Sequence, residues 1–219
     1  MINDYQKQQR VTLWKVLLNQ LNVLNHCDVI TSDESWFYFS YSGDGMWVKD
    51  RSELEIVENQ TNYSKKVMIC IFWNFYDLFM IDCVPEEETY NTDFVIFTLF
   101  PKIHEVACSH RAVGELKSYA LHWDNAPSHK SRDTNAAVAE LFKCSLIHPP
   151  YSPDLAPSDF FLFGYLKRGL VGKKIENVQQ LKNEITNVFK TITREMKMNV
   201  FNEWKRRLEE VVENDGKYA

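Results

Sequence analysis

The sequence predicts an α/β domain with a mixed β-sheet and helices on both of its faces. Strand-like segments come first, at 27–39, 65–75 and 78–84, and those at 118–124 and 144–148 alternate with helical segments. The segments 65–75 and 78–84 are almost continuously apolar, which is typical of central strands covered on both faces. This order of elements and these covered strands together predict the fold class.

The composition indicates a globular chain. Its 219 residues are 45% hydrophobic and 14% aromatic, which is enough to bury a sizeable core in one domain. No segment approaches the roughly 18–20 consecutive apolar residues of a membrane span, and the polar start lacks the apolar run of a secretory signal. We therefore expect a soluble, intracellular protein with no membrane partner. The net charge of −5 argues against nucleic-acid binding through a uniformly basic surface but is compatible with a local basic patch.

The cysteines predict neither a disulfide framework nor a zinc site, because they are odd in number, scattered and without CxxC spacing. We expect them to be reduced and mostly in the core. They are Cys27, Cys70, Cys83, Cys108 and Cys144.

The first half of the chain contains two helices around the early strands. Residues 5–25 carry apolar positions at helical spacing, and residues 91–108 alternate at about the same period. The run 27–39 is rich in β-branched and aromatic residues, and the turn signal SGDG at 42–45 predicts a hairpin after it. Asp33 falls inside the first strand of that hairpin. The next two strand segments form a second pair.

The second half begins with a strand at 118–124 that ends at Asp124. A helix at 131–143, a short strand at 144–148 and a proline-rich loop lead to a helix over 160–170, which has Pro157 and Ser158 at its start. Two amphipathic helices form the tail. Their apolar positions are Val178, Leu181, Ile185, Val188 and Ile192 in one, and Val200, Phe201, Trp204, Leu208 and Val211 in the other.

Three aspartates stand out as candidate site residues: Asp33 in the first strand, Asp124 at a strand end, and Asp159 at a helix start. In a regular helix Asp159 shares a face with Leu162, Phe163 and Leu166, so we expect this acid to point inward. A buried carboxylate is costly unless it is protonated, hydrogen-bonded or bound to a metal. Converging aspartates without thiols suit Mg²⁺ or Mn²⁺, and two such ions about 3.5–4 Å apart would support phosphodiester chemistry.

Each aspartate also has a purely structural interpretation. Asp124 could cap the turn after its strand, Asp159 could complement the dipole of its helix, and Asp33 beside Glu34 could be a solvated strand residue. Asp154 competes for the third position, but it lies in a loop with prolines on both sides and is interpreted as a turn former.

Other polar and aromatic residues receive structural interpretations first. His122, His129 and His148 lack i, i+4 spacing and a neighbouring thiol, so a zinc site is disfavoured. Trp36 and Trp47 could stack on extruded bases, but core packing is favoured for both.

Three segments resemble the signature blocks of the mariner family of transposases, which belong to the Tc-mariner superfamily. They are VITSDESWFYF at 29–39, LHWDNAPSHKS at 121–131 and HPPYSPDLAPSDFFLFGYLK at 148–167. Mariner transposases carry an Asp, Asp, Asp triad with thirty-four residues between its last two members, and thirty-four residues lie between Asp124 and Asp159 here. Asp33 stands in the family's Thr-x-Asp-Glu-x-Trp context. The resemblance covers nearly the whole chain.

The resemblance implies an RNase H-like fold and a catalytic role for the triad. Asp33, Asp124 and Asp159 would bind two Mg²⁺ or Mn²⁺ ions, cut DNA at transposon ends and join the freed 3′-hydroxyls to a TA target. The first aspartate is expected on the first strand, the second on the fourth strand and the third on a following helix. DNA is the expected partner, a homodimer is considered as well, and the location implied is nuclear.

The expected domain organisation is a single catalytic domain over 1–219. It comprises an N-terminal helix at 1–26, a catalytic core at 27–175 and C-terminal helices at 176–219. Mariner transposases begin with paired helix-turn-helix units and a linker, which we expect to be absent here. A second departure is Trp123, where many relatives have histidine or another polar residue.

Two basic clusters are candidates for DNA binding because they follow the last two aspartates in sequence. An ordinary solvated helix face is the alternative for both. The first cluster is His129, Lys130 and Arg132, and the second is Lys167, Arg168, Lys173 and Lys174; the lysines and arginines are the candidate contacts.

Three functions compete at this point. The first is a metal-dependent DNA endonuclease and strand transferase, which the triad favours. The second is a catalytically silent, truncated or host-adopted remnant that binds DNA or protein, which the acidic net charge favours. The third is an unrelated nuclease acting on RNA–DNA hybrids, against which the long proline-rich block argues.

Overall fold

The computed structural model describes residues 3–25, 28–41, 65–74, 76–109 and 116–218 of the chain. The strands are β1 (Val29–Tyr38), β2 (Lys66–Trp73), β3 (Leu78–Cys83), β4 (Ala120–His122) and β5 (Cys144–Ser145). The α-helices are α1 (Asp4–Val23), α2 (Thr92–Phe94), α3 (Phe100–Ser109), α4 (Pro127–Lys130), α5 (Arg132–Leu141), α6 (Phe163–Gly169), α7 (Val178–Lys190) and α8 (Arg194–Glu213).

Within these residues the strands form one mixed sheet in the order β3-β2-β1-β4-β5. β1, β2 and β3 are antiparallel neighbours, whereas β4 and β5 run parallel to β1. Thr31 of β1 pairs with His122 of β4. Because these strands are parallel, residues two positions further along each chain, Asp33 and Asp124, lie at the same end of the sheet.

Helices cover both faces of the sheet, as the sequence predicts. One core cluster packs α1, α6, α7 and α8 against the face that carries Val29 and Phe37, and it includes the fully buried Trp204. The other cluster packs α3 and α5 against the face that carries Ile30. Alternate residues of β1 therefore enter different layers, because strand side chains alternate in direction.

Local signals set several helix boundaries. The Asn3 side chain accepts a hydrogen bond from the Gln6 backbone amide and Gln6 returns one, which is a capping box at the start of α1. Ser131 and Asn177 are the N-caps of α5 and α7. The side chain of each accepts a hydrogen bond from a backbone amide in the first turn of its helix. The two predicted tail helices are confirmed, and the apolar positions predicted for them are buried or partly buried.

Some predicted elements are longer than the observed ones. The strand predicted at 118–124 is hydrogen-bonded only over Ala120–His122, because 116–118 form a 3₁₀ turn before it. The strand predicted at 144–148 is reduced to Cys144–Ser145, since β5 lies at the sheet edge and pairs with two residues of β4. The predicted turn at 42–45 lies outside the described residues.

Two π-helical turns are not predicted by the sequence. Val95–Leu99 forms one of them and joins α2 to α3, within the helical region predicted at 91–108. Ser158–Leu162 forms the other and leads into α6. A π turn has wider i→i+5 hydrogen bonds, so it changes which residues share a helix face.

Two sequence expectations concern membranes and thiols. No helix among the described residues is both long and apolar enough to cross a membrane. Cys70, Cys83, Cys108 and Cys144 are free thiols. Cys70 is buried, Cys83 and Cys144 are partly buried, and Cys108 is exposed, so the expected core position does not hold for Cys108. Cys27 lies outside the described residues.

Candidate active site

The three aspartates lie together at one end of the sheet although they are far apart in sequence. Asp33 is in the middle of β1, and Asp124 follows the last residue of β4 by two positions. Asp159 lies in the π turn at Ser158–Leu162, which contacts β1. The parallel pairing of β1 and β4 brings the first two acids together, and packing of the π turn on β1 adds the third.

Asp33 and Asp159 form a carboxyl pair. Their carboxyl groups interact directly, and repulsion between two carboxylates favours a proton on the pair. Burial raises the pKa of Asp33, and the neighbouring charges of Asp159, Glu34 and Asp124 raise it further. Burial and the charge of Asp124 raise the pKa of Asp159. The pair is thus a site of concentrated negative charge that favours a bound cation or proton.

The position of Asp159 differs from the expectation. Its side chain is exposed at the end of the sheet, whereas Leu162 and Leu166 are buried beneath it. The π turn accounts for the difference, because the regular i+3, i+4 spacing that placed the three residues on one face does not apply across it.

Asp124 has a different environment from the pair. Its Oδ1 accepts hydrogen bonds from His129 Nδ1 at 2.7 Å and from the Ala126 backbone amide at 2.9 Å. Burial opposes ionisation, but these two bonds and the charge of His129 outweigh it and lower the pKa of Asp124. The side chain is 46% exposed, so this carboxylate is both ionised and accessible.

A cleft of about 420 Å³ opens beside Asp124 and Asp159. Lys130 lines it, as do His148 and the loop that runs from Pro150 to Pro153. The exposed carboxylates therefore face a space in which a substrate could bind, with a lysine on its wall.

The loop on the cleft wall is held in place by Arg10, which is fully buried. Its guanidinium donates to Ser152 Oγ at 2.7 Å and to the Asp154 carboxylate at 2.8 and 2.6 Å. It also donates to the Gly216 carbonyl at 2.9 Å. Asp154 therefore lies in an ion pair with α1, in agreement with its interpretation as a structural loop residue.

Histidines form a buried pair below the cleft. His122 Nε2 lies 3.1 Å from His148 Nδ1, and His122 Nδ1 lies 3.1 Å from the Thr31 hydroxyl. Burial lowers the pKa of His148 to about 4 and that of His122 well below its usual value. Both rings are therefore neutral and are buried in the core.

The predicted basic residues have different surroundings. Lys167 donates to Ser35 Oγ of β1 at 2.7 Å and interacts with the charge of Asp159, so it lies beside the carboxyl pair. Lys130 lies on the cleft, and Arg132 is exposed at the start of α5. Lys173 forms an ion pair with Glu184. Arg168 and Lys174 are exposed, and Arg168 lines a separate groove between α6 and α7.

The tryptophans differ in their exposure to solvent. Trp36 is 43% exposed, so core packing is wrong for it, and Lys66 lies 4.4 Å from its ring centroid. Trp123 is buried and stacks on His129 with ring centroids 4.2 Å apart. Trp47 lies outside the described residues.

The donor set fits a hard divalent cation. Asp33, Asp124 and Asp159 offer carboxylate oxygens, with no sulfur among them, and oxygen ligands are those that Mg²⁺ and Mn²⁺ prefer. In the described ranges, no group of three or more His, Cys, Asp or Glu side chains already has its donor atoms gathered as a metal site.

The sequence did not identify Tyr90 or the role of His129. Tyr90 Oη lies 2.7 Å from His129 Nε2, and Glu34 interacts with both residues. His129 carried one signal, because it follows Asp124 by five residues. Tyr90 carried none, since its proximity arises from the tertiary packing of 76–109.

Comparisons with known proteins bear on this arrangement. A family model described as Transposase (partial DDE domain) matches residues 42–106. Mariner Mos1 transposase of Drosophila mauritiana is 26% identical over 222 residues, which cover 99% of this chain and 64% of the relative. The chain is thus similar to a mariner transposase over nearly its whole length. It spans less than two thirds of that relative's length.

A second curated protein and several solved structures are also similar to the chain. The histone-lysine N-methyltransferase SETMAR of Homo sapiens is 25% identical over 191 residues, covering 87% of the chain and 28% of that protein. A Mos1 paired-end complex superimposes with a TM-score of 0.85 at 24% identity, over all of this chain and 64% of the other. The Mos1 catalytic domain gives 0.77 at 22% identity, over 100% and 98%. These superpositions confirm the predicted RNase H-like fold class.

Proposed function

We propose that the chain is the catalytic domain of a transposase that cleaves DNA and joins DNA strands with the help of Mg²⁺ or Mn²⁺. The observation that carries this proposal is the meeting of three aspartates, from β1, the end of β4 and the turn before α6, beside an open cleft. Solved Mos1 complexes that contain a transposon end, Mn or Mg support it by relationship. Transposon ends and a TA target are the proposed substrates.

The proposed roles follow from the surroundings of each residue. Asp33, Asp124 and Asp159 would hold two divalent ions, with Asp124 already ionised and the other two sharing a proton that a cation displaces. When bound there, the ions supply an activated water or hydroxyl and stabilise the leaving oxygen of an in-line attack at phosphorus. Lys130 and Lys167 are the cationic side chains beside these carboxylates, so we assign them to phosphate contacts.

The remaining candidates are assigned by exposure. Arg132, Arg168 and Lys174 are exposed and are proposed to contact DNA further from the carboxylates. Lys173 is the weakest candidate, because Glu184 already neutralises its charge.

The organisation and location are proposed on the same basis. Residues 1–26, 27–175 and 176–219 are assigned to one catalytic domain, because one core cluster contains residues of α1, the sheet and α8. A homodimer and a nuclear location are proposed because paired transposon ends on chromosomal DNA are the proposed substrate. Size determination with a short DNA end and imaging of a fluorescent fusion test these two statements.

Nicking of a supercoiled plasmid tests the activity. We expect the purified chain to nick with Mn²⁺ or Mg²⁺ and not with EDTA, and Asp124→Asn to lower the rate at least about 100-fold by removing a ligand of the proposed metal site. Asp93→Asn is the matched control, since Asp93 is an exposed aspartate in the first turn of α2. Equal nicking by Asp124→Asn and the parent would refute the assignment. No nicking together with no Mn²⁺-dependent thermal shift would indicate a silent remnant.

A further inference from the structure

A buried chain of polar side chains reaches Asp124 from the side of the sheet opposite the Asp33–Asp159 pair. His129 Nδ1 lies 2.7 Å from Asp124 Oδ1, and His129 Nε2 lies 2.7 Å from the Tyr90 hydroxyl. The carboxyl group of Glu34 interacts electrostatically with Tyr90, and its Oε1 lies 3.8 Å from His129 Nε2. Glu34, Tyr90 and His129 thus form a series of interacting polar side chains, which we call the Glu34–Tyr90–His129 chain.

The position of Glu34 explains how this chain approaches from the far face. Glu34 follows Asp33 on β1, and neighbouring strand residues point to opposite faces of the sheet. Asp33 therefore meets Asp159 on one face, while Glu34 meets Tyr90 on the other. Asp124 lies beyond the end of β4 and interacts with the charges of both Asp33 and Glu34.

The imidazole of His129 is fixed by packing as well as by hydrogen bonds. Its side chain is 1% exposed. The Trp123 ring stacks on one side at a centroid distance of 4.2 Å and an interplanar angle of 8°, and the Tyr90 ring meets it edge-on at 5.6 Å. A ring held in this way has one orientation available, so its nitrogens are aimed at Asp124 and Tyr90 before any ligand binds.

The hydrogen-bond chemistry assigns a direction to the chain. An ionised carboxylate only accepts hydrogen bonds, so His129 donates its Nδ1–H to Asp124. The bond from His129 and the bond from the Ala126 amide both end on Oδ1 of Asp124. These bonds fix the plane of the carboxylate and leave Oδ2 for another ligand, while the side chain faces the cleft.

We propose that His129 and Tyr90 are positioning residues that hold the Asp124 carboxylate in the orientation that binds a divalent cation. The proposal rests on the proposed function of the triad and adds the residues that support its second member. Outer partners of a metal-ligating group fix its orientation, and their loss lowers metal affinity about 10–100-fold. Tyr90 acts through His129, since its hydroxyl contacts the ring nitrogen that faces away from Asp124.

Mn²⁺ affinity, measured by titration calorimetry on the full chain without DNA, tests the proposal. We expect His129→Leu to raise the Kd for Mn²⁺ at least about 10-fold. His129→Asn should recover most of the affinity, because the asparagine amide can donate from nearly the position of Nδ1. Tyr90→Phe, which removes one oxygen atom, should raise the Kd severalfold.

The controls separate positioning from folding. Tyr165→Phe removes a hydroxyl that hydrogen-bonds Thr191 at the surface and takes no part in the Glu34–Tyr90–His129 chain. It should leave the Kd for Mn²⁺ within twofold. Thermal unfolding in EDTA checks that each variant is folded. If His129→Leu does not fold, Tyr90→Phe and His129→Asn decide the question.

Three outcomes would count against the proposal. Unchanged Mn²⁺ affinity in folded Tyr90→Phe and His129→Leu would show that these side chains only fill the core. A uniform loss of affinity in both His129 variants and in Tyr165→Phe would also overturn positioning. If the parent binds no Mn²⁺, the proposed metal site is wrong and this inference is wrong with it. If the parent binds Mn²⁺ and Asp124→Asn does not, the metal site stands and the variants of His129 and Tyr90 test the inference alone.

Discussion

Asp33 and Asp124 lie at neighbouring positions of two parallel strands, yet their surroundings favour opposite charge states. Asp33 is buried next to Asp159 and Glu34, which raises its pKa. Asp124 accepts two hydrogen bonds and has a lowered pKa. Carboxylates with different proton affinities within one site are common where chemistry takes place. The contrast also means that the two residues contribute to stability with opposite signs.

We expect Asp33→Asn to be at least as stable as the parent in EDTA, by up to about 1 kcal/mol at neutral pH, because it removes a buried, repelled carboxyl group. The folded parent holds a proton on the Asp33–Asp159 pair at a pH where the unfolded carboxyl groups are ionised. Its stability therefore falls as pH rises above the unfolded value toward the raised folded pKa. The advantage of Asp33→Asn should grow between pH 6 and pH 8.

Urea denaturation of both proteins at several pH values measures this effect. Asp124→Ala is the contrasting variant, and its loss of two accepted hydrogen bonds should cost about 1–3 kcal/mol. A destabilised Asp33→Asn, or an advantage that shrinks as pH rises, would contradict the description of the pair.

The neutral His122–His148 pair predicts a loss of stability in acid. The folded pKa of His148 is about 4, below the unfolded value near 6.5, so unfolding takes up a proton in this window and stability falls as pH falls through it. His148→Gln cannot titrate and should reduce the slope by at most about 1.4 kcal/mol per pH unit. Guanidinium denaturation between pH 4.5 and 7 measures the slope. His104→Gln, at an exposed position, should match the parent, and an unchanged slope in His148→Gln would contradict the prediction.

At the scale of elements, the sequence predicted what depends on local pattern. Apolar periodicity located the central strands and both tail helices, because their buried faces repeat along the chain. The π turn before α6 was missed, since it depends on how Ser158–Leu162 packs on β1. The Arg10 ion pair with Asp154 was missed as well, because 143 residues separate its partners and neither shows a local signal.

The contact between α6 and α7 is close at Gly169. A Cβ at this position would overlap the side chain of Val188, so Gly169→Ala must push the two helices apart. We expect a cost of about 1–3 kcal/mol, as for other overpacked sites. Gly164→Ala on the same helix meets only the flexible end of Arg168 and should be neutral or stabilising by up to about 1 kcal/mol.

A double-mutant cycle decides whether the overlap is the cause. Val188→Ala removes the two methyl groups nearest to the added Cβ, so Gly169→Ala should cost much less in that background. Chemical denaturation of the four proteins gives the coupling. If the cost of Gly169→Ala is the same in both backgrounds, another contact limits the position.

At the scale of the molecule, the sequence indicated the three aspartates that lie together but not the side chains that surround Asp124. The three aspartates belong to motifs that can be read from the chain, but His129, Tyr90 and Glu34 meet Asp124 only after the sheet and the segment 76–109 have packed. The net charge of the chain likewise does not show which basic residues lie near the aspartates. The net charge of −5 describes the whole surface, whereas Lys130 lies beside the exposed carboxylates and Lys173 is neutralised by Glu184.

This difference between two lysines predicts how the proposed DNA binding depends on salt. Each phosphate contact adds about 0.9 to the slope of log affinity against log salt concentration, because contact releases counterions from the duplex. Lys130→Gln should weaken binding and lower the slope by about 0.9, whereas Lys173→Gln should change neither quantity, since its charge is already paired. Fluorescence anisotropy with a labelled duplex between 50 and 200 mM salt measures both, in an Asp33→Asn background with EDTA so that the DNA stays intact. Equal slopes for all three proteins would remove Lys130 from the proposed DNA surface, and an equal loss in Lys173→Gln would mean that DNA displaces Glu184 from its ion pair.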